Sequence, residues 1–287
     1  MDFKPVIRQA RSRWKVLLTA AALVVCTPFL LRAPASGVNH LMAELQAVGY
    51  GSVGKAVAAQ AVWVLFATQP WSRPLIVQHS SGLELWLRLM HTQSPALVER
   101  SAAMLYSTIS FEPQLGDPAA VRRLAAASSL PLCTTRCQGS LILAISSAAT
   151  QAEALRELAA SPALPTLLDW AGLAARSPSA QQDPFISTAA ASLLTNMAAL
   201  PAGRARMARH PALLEDLIAA MHTRADTRTA AAGRVGRAVQ LAANLASDPA
   251  LAEALSKTGH LDQLLERLLS RVEKGDTREQ VPAQSQA

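Results

Sequence analysis

The sequence predicts an all-α protein built from repeated helical units, and three observations carry that reading. Ala and Leu are abundant in a chain of 287 residues that is 51% hydrophobic but only 4% aromatic, a composition suited to close helix packing. Val and Ile are scattered and do not gather into the alternating runs that a half-buried strand requires. A short phrase also recurs in aligned but degenerate form. It reads Val62-Trp63-Val64-Leu65-Phe66-Ala67, then Leu105-Tyr106-Ser107-Thr108-Ile109-Ser110, then Leu141-Ile142-Leu143-Ala144-Ile145-Ser146. It returns as Leu193-Leu194-Thr195-Asn196-Met197-Ala198 and as Leu241-Ala242-Ala243-Asn244-Leu245-Ala246. Its apolar landmarks, Phe66, Ile109, Ile145, Met197 and Leu245, lie 43, 36, 52 and 48 residues apart. Such a period marks helical units that bury their apolar faces only against neighbouring units.

Residues 1–15 form a basic amphipathic segment. On a 3.6-residue helix Lys4, Arg8, Arg11 and Lys15 make one stripe, with Phe3, Val6, Ile7, Ala10 and Trp14 largely opposite. An Arg-rich, acid-poor start has the character of a mitochondrial targeting segment, from which Asp2 is a small departure. Residues 16–32 follow as an expected transmembrane anchor, uncharged until Arg32, with Val16, Leu17, Leu18, Leu23, Val24, Val25, Phe29, Leu30 and Leu31 as its apolar surface. The run is slightly short of a full span, and Trp14, Lys15 and Arg32 extend it into the headgroup interfaces. Pro28 ends or kinks its last turn, which a membrane helix tolerates. Two other readings stand beside the anchor. One is an export signal cleaved at Ala33-Pro34-Ala35, and the other is a hydrophobic first helix packed on the repeats.

The repeat domain is expected over residues 36–269. Its first unit, 36–71, begins with a helix capped at Asn39 that holds Leu41, Leu45 and Val48; Gly49, Gly51 and Gly54 break it before a helix over 56–68. Pro70 and Pro74 mark a turn into the second unit, 74–113. There GLELWLRL (82–89) is followed by Ser94-Pro95 and then by ALVERSAAMLYSTIS (96–110). The third unit, 117–152, has Val121, Leu124 and Leu130, a turn containing two cysteines, and a helix from Gly139 to Ser147. The fourth, 153–201, is interrupted by the polar SPSAQQ (177–182) before Asp183-Pro184 restarts a helix. The fifth, 204–247, has Leu213, Leu214, Leu217 and Ile218, then a polar turn over 223–229 and the last copy of the phrase. A further helix pair over 249–269 caps the stack, and residues 271–287 are polar enough to be a disordered tail.

The second unit, a Gly-led helix, a short polar turn and a longer helix ending in the recurring phrase, resembles an armadillo repeat. Residues 36–269 resemble the armadillo/HEAT superfamily of helical repeats. The resemblance implies a right-handed armadillo-like solenoid of about five to six units, preceded by an N-terminal hydrophobic helix. In architecture the whole chain is similar to armadillo proteins anchored in the mitochondrial outer membrane by an N-terminal helix. In peptide-binding members an Asn in the third helix lines the concave groove and holds a peptide backbone. Here that resemblance falls on Asn196 and Asn244, with Thr108 and Ala144 at the matching positions of other units. The Trp usual four residues earlier is replaced by Met104, Ser192 and Gln240, which counts against recognition of basic import peptides.

Composition narrows the function further. The net charge is +7 and the pI near 9.9, but much of the excess lies before residue 16, and the remaining basic groups have few aromatics among them. They lack the stacking platforms of single-strand binders, so nucleic acid is not the expected partner. Among the three cysteines, Cys133 and Cys137 are spaced to share a helix face. Ordinary buried thiols are the simplest reading; a redox pair or half a metal site are the alternatives, and no matching CxxC or His pair completes a zinc set.

No phosphate loop, dinucleotide fingerprint, HExxH or GxSxG occurs, and the six histidines are dispersed, with His79, His210 and His260 preceding second helices where a polar residue can cap. No catalytic, cofactor-binding or metal-ligating residues are expected, and the chain is not expected to be an enzyme. The expected contacts are with protein partners, through Asn196, Asn244, Arg234 and Arg237 on the inner helices, where the arginines favour an acidic partner. The expected function is a mitochondrial membrane-tethered scaffold; the alternative is an accessory structural subunit of a large mitochondrial membrane complex, such as a respiratory or ATP-synthase assembly. Another organelle membrane, or export after signal cleavage, is the alternative location.

Overall fold

The structure, a computed structural model, describes residues 34–47, 52–173, 183–210, 213–221 and 230–257. Among the described residues every regular element is a helix. Helix α1 covers Pro34–Gln46, α2 Ser52–Thr68, α3 Ser72–His79, α4 Glu84–Leu89 and α5 Pro95–Phe111. A 3-10 turn at Pro113–Leu115 leads to α6, Pro118–Ala127, and α7, Thr135–Ala148. Then come α8 (Ala152–Ala160), α9 (Leu164–Trp170), α10 (Pro184–Ala199), α11 (Pro201–Ala208), α12 (Leu213–Met221), α13 (Ala230–Leu245) and α14 (Pro249–Lys257).

Local chemistry explains many of these boundaries. Proline occupies the first turn of α5, α6, α10 and α11, where its fixed φ suits a helix and its missing N–H is no loss. Acidic caps complete several starts. Asp117 accepts from the Ala120 amide at 2.6 Å, and Asp183 accepts from Phe185 at 2.9 Å and Ile186 at 3.3 Å. At the other end of α9, Gly172 takes a φ of +76°, a left-handed stop that a side chain resists.

Each copy of the recurring phrase falls on a long helix, in α2, α5, α7, α10 and α13. These pack in chain order, α2 on α5, α5 on α7, α7 on α10 and α10 on α13. Shorter helices make a second series, with α4 on α6, α6 on α8 and α8 on α11. The phrase supplies the seam between the two. Leu105, Ile109, Leu141, Ile145, Leu194, Met197, Leu241 and Leu245 are all buried, in one hydrophobic cluster that reaches from Val38 to Leu255.

Several expectations change. Asn39 is not a cap, because α1 is already under way before it. Val38, Leu41, Met42 and Leu45 recur at helical spacing and are buried, while Asn39 is left exposed. Gly54 does not break a helix either; it lies in the first turn of α2, and buried Ala58, Val62 and Leu65 hold that helix in place. Cys133 and Cys137 are not free thiols. They are joined in a disulfide that straddles Thr134, the cap of α7. His79 is the last residue of α3, where its carbonyl accepts from Gln46 Nε2 at 2.8 Å.

Val48, Gly49, Gly51, the polar stretches 177–182 and 223–229, His260, the second half of the capping pair and the tail over 271–287 lie outside the described residues. So do the targeting-like segment over 1–15 and the proposed anchor over 16–32. Among the described residues no single helix is long and apolar enough to cross a membrane. The consecutive pair α10 and α11 has the length and composition only when joined across a bend of 108°.

Candidate functional site

Burial divides each long helix into a packed side and an open stripe. On α5 the open positions are Ala96, Glu99, Arg100, Ala103, Tyr106, Ser107 and Ser110, which recur every three to four residues. The same spacing gives Gln60, Trp63 and Ala67 on α2, Arg136, Ser140 and Leu143 on α7, and Ser192, Thr195 and Asn196 on α10. The helices that carry these positions pack in series.

The residues expected to contact a partner occupy different environments. Asn196 is exposed on α10. Asn244 is half-buried and donates from Nδ2 to the Thr195 carbonyl at 3.0 Å, tying α13 to α10. Arg237 donates from Nε to the Ala171 carbonyl at 3.0 Å, at the C-terminus of α9. Arg234 lies three residues before it in α13, and its side chain is outside the described part. The matching positions do not extend the row, because Thr108 and Ala144 are fully buried. Met104 is buried as well, whereas Ser192 and Gln240 are exposed.

Sequence reading missed a cluster on α2, α5 and the start of α7. The Arg100 guanidinium of α5 lies over the Trp63 ring of α2, its carbon 4.4 Å from the ring centroid. Beside it the Thr134 hydroxyl of the α7 cap donates to Glu99 Oε1 at 2.9 Å, fixing α7 on α5. Arg136 follows two residues later and is exposed. Burial, and then the charge of Arg136, hold the Arg100 guanidinium below its usual pKa, while Glu99 acts in the opposite sense. Arginine remains charged at neutral pH regardless. The other half-buried arginines, Arg73, Arg204 and Arg237, each donate to a backbone carbonyl. Among the described residues Arg100 has no hydrogen-bond acceptor, and neither it nor Arg136 has an ion-pair partner.

Among the described residues no group of three or more His, Cys, Asp or Glu side chains could hold a metal ion. No protein-family model matches the chain, and no curated protein matches it.

Proposed function

We propose that this chain is a membrane-tethered, right-handed armadillo-like solenoid that binds protein partners along the open stripe of its long helices, in a mitochondrial membrane. The serial packing of the five helices bearing the recurring phrase carries the reading, since it turns a sequence period into a spatial one. The open positions of these helices support a binding surface, being mixed in polar and aromatic groups. Tethering and location rest on the sequence of residues 1–32 alone, a basic amphipathic stretch and then an uncharged apolar run.

The low charge of the chain, 16% Asp, Glu, Lys and Arg, favours a second reading, a permanent subunit whose surface is covered by its neighbours. Detergent extraction followed by sizing of the tagged full chain separates the two. A scaffold runs mostly as free protein and yields partners under crosslinking. A chain held stoichiometrically in a large complex makes it the accessory subunit, and a chain with no protein partner under either condition contradicts both. Tethering is tested by carbonate extraction: the full chain should stay with the membrane, and a chain lacking residues 1–33 should be released with its helicity intact.

A further inference from the structure

We propose that Trp63, Arg100 and Arg136 form a notch for a carboxylate side chain, presented by an acidic peptide segment of a partner protein. This rests on the scaffold reading and supplies one contact chemistry for it.

Three features single out this place on the stripe. Arg100 is half-buried with its guanidinium against the Trp63 face, so its position is largely set before any partner arrives. Its N–H groups have no acceptor among the described residues and are open to an incoming ligand, since the side chain is only half-buried. A second guanidinium, Arg136, is close enough to repel it, and no carboxylate lies within ion-pair reach of either. Glu99 offsets part of that repulsion at Arg100, and an anion placed between the two arginines would remove the rest and accept from both.

The neighbouring residues select among anions. Glu99 stands next to Arg100 and is held by the Thr134 hydroxyl, so a continuous phosphate backbone would meet a fixed negative charge there. A single carboxylate brings less negative charge against Glu99 than a row of phosphates does. Half-buried Tyr106 and Leu143, farther along α5 and α7, offer apolar contact to flanking peptide residues. The Cys133–Cys137 disulfide staples the turn that carries Thr134 and Arg136, which limits how far the second arginine can wander.

The test is fluorescence anisotropy with the detergent-solubilised full chain and a labelled peptide of alternating Glu and Ser, compared with its Gln and Ser counterpart. Binding of the Glu peptide alone is expected. Arg100→Gln with Arg136→Gln should weaken it by about tenfold or more, the loss expected for removing charge-assisted hydrogen bonds. Arg206→Gln with Arg209→Gln, an equal change of charge at exposed positions, should leave it within about twofold. If circular dichroism shows that the first double variant has lost helix, Arg136→Gln alone carries the comparison, because that side chain is exposed.

Equal binding of the Glu and Gln peptides overturns the notch, as do equal losses in the two double variants. Displacement of the peptide by equimolar inorganic phosphate, or equal binding of a single-stranded oligonucleotide, overturns it in favour of an unselective anion site. If the notch fails and the full chain still crosslinks to a protein partner, the scaffold reading stands without it; a chain that crosslinks to none fails the scaffold reading instead.

Discussion

Gly203 of α11 lies against the backbone of α10 at Met197. A Cβ built there would lie 1.9 Å from the Met197 carbonyl oxygen, backbone that cannot swing aside. Beside it Arg204 donates to the carbonyls of Ala198 and Ala199, both at 3.0 Å, and so completes the C-terminus of α10 before α11 leaves at a steep angle. Gly203→Ala is therefore expected to cost on the order of 2–4 kcal/mol, through overpacking and displaced capping bonds, as read by chemical denaturation. An opposite case is the bidentate pair of Glu84 and Arg123, with side chains 60% and 47% exposed. Hydrogen bonding to Arg123 holds the Glu84 carboxyl below its usual pKa. A lowered folded pKa gives stability that is present above the ordinary carboxylate range and is lost as pH falls through the folded value. Glu84→Gln should cost less than about 1 kcal/mol at neutral pH. The difference from wild type should vanish in acid below that folded pKa.

Helices, by contrast, are fixed by how their faces are used. The two asparagines of the phrase show it. Asn244 joins α13 to α10 through the Thr195 carbonyl, and Asn196 faces solvent. Asn244→Ala should cost about 1 kcal/mol by removing that bond, while Asn196→Ala should change stability by less than about 0.5 kcal/mol, in paired thermal or urea melts. The same contrast marks what the sequence could reveal. Phe66, Ile109, Ile145, Met197 and Leu245 were legible as core because burial leaves a local period, and all five are buried. Asp183-Pro184 was legible as a helix start for an equally local reason, a cap beside a residue with preset φ. The attachments of Arg237 to Ala171 and of Arg100 to Trp63 were not. They join residues 66 and 37 positions apart, and nothing local specifies how neighbouring helices are rotated against one another. Thr108 shows the consequence: it aligns with Asn196 in the phrase, yet it points into the core while Asn196 points out.

At the scale of the whole molecule, the proposed solenoid would be quasi-one-dimensional. Its five long helices touch in chain order, and in a solenoid the stability of each unit would come from itself and its immediate neighbours. Leu194, fully buried in α10, is the place to strike the row. Leu194→Asp puts an unpaired charge in the core at a cost on the order of several kcal/mol. The direct measurement is hydrogen exchange of this variant against wild type, resolved by helix, under mildly destabilising conditions. The solenoid account predicts that protection falls first in α10 and its neighbours α7 and α13, and last in α2. Simultaneous and equal loss of protection in all five helices, or loss in α2 before α7 and α13, would contradict it.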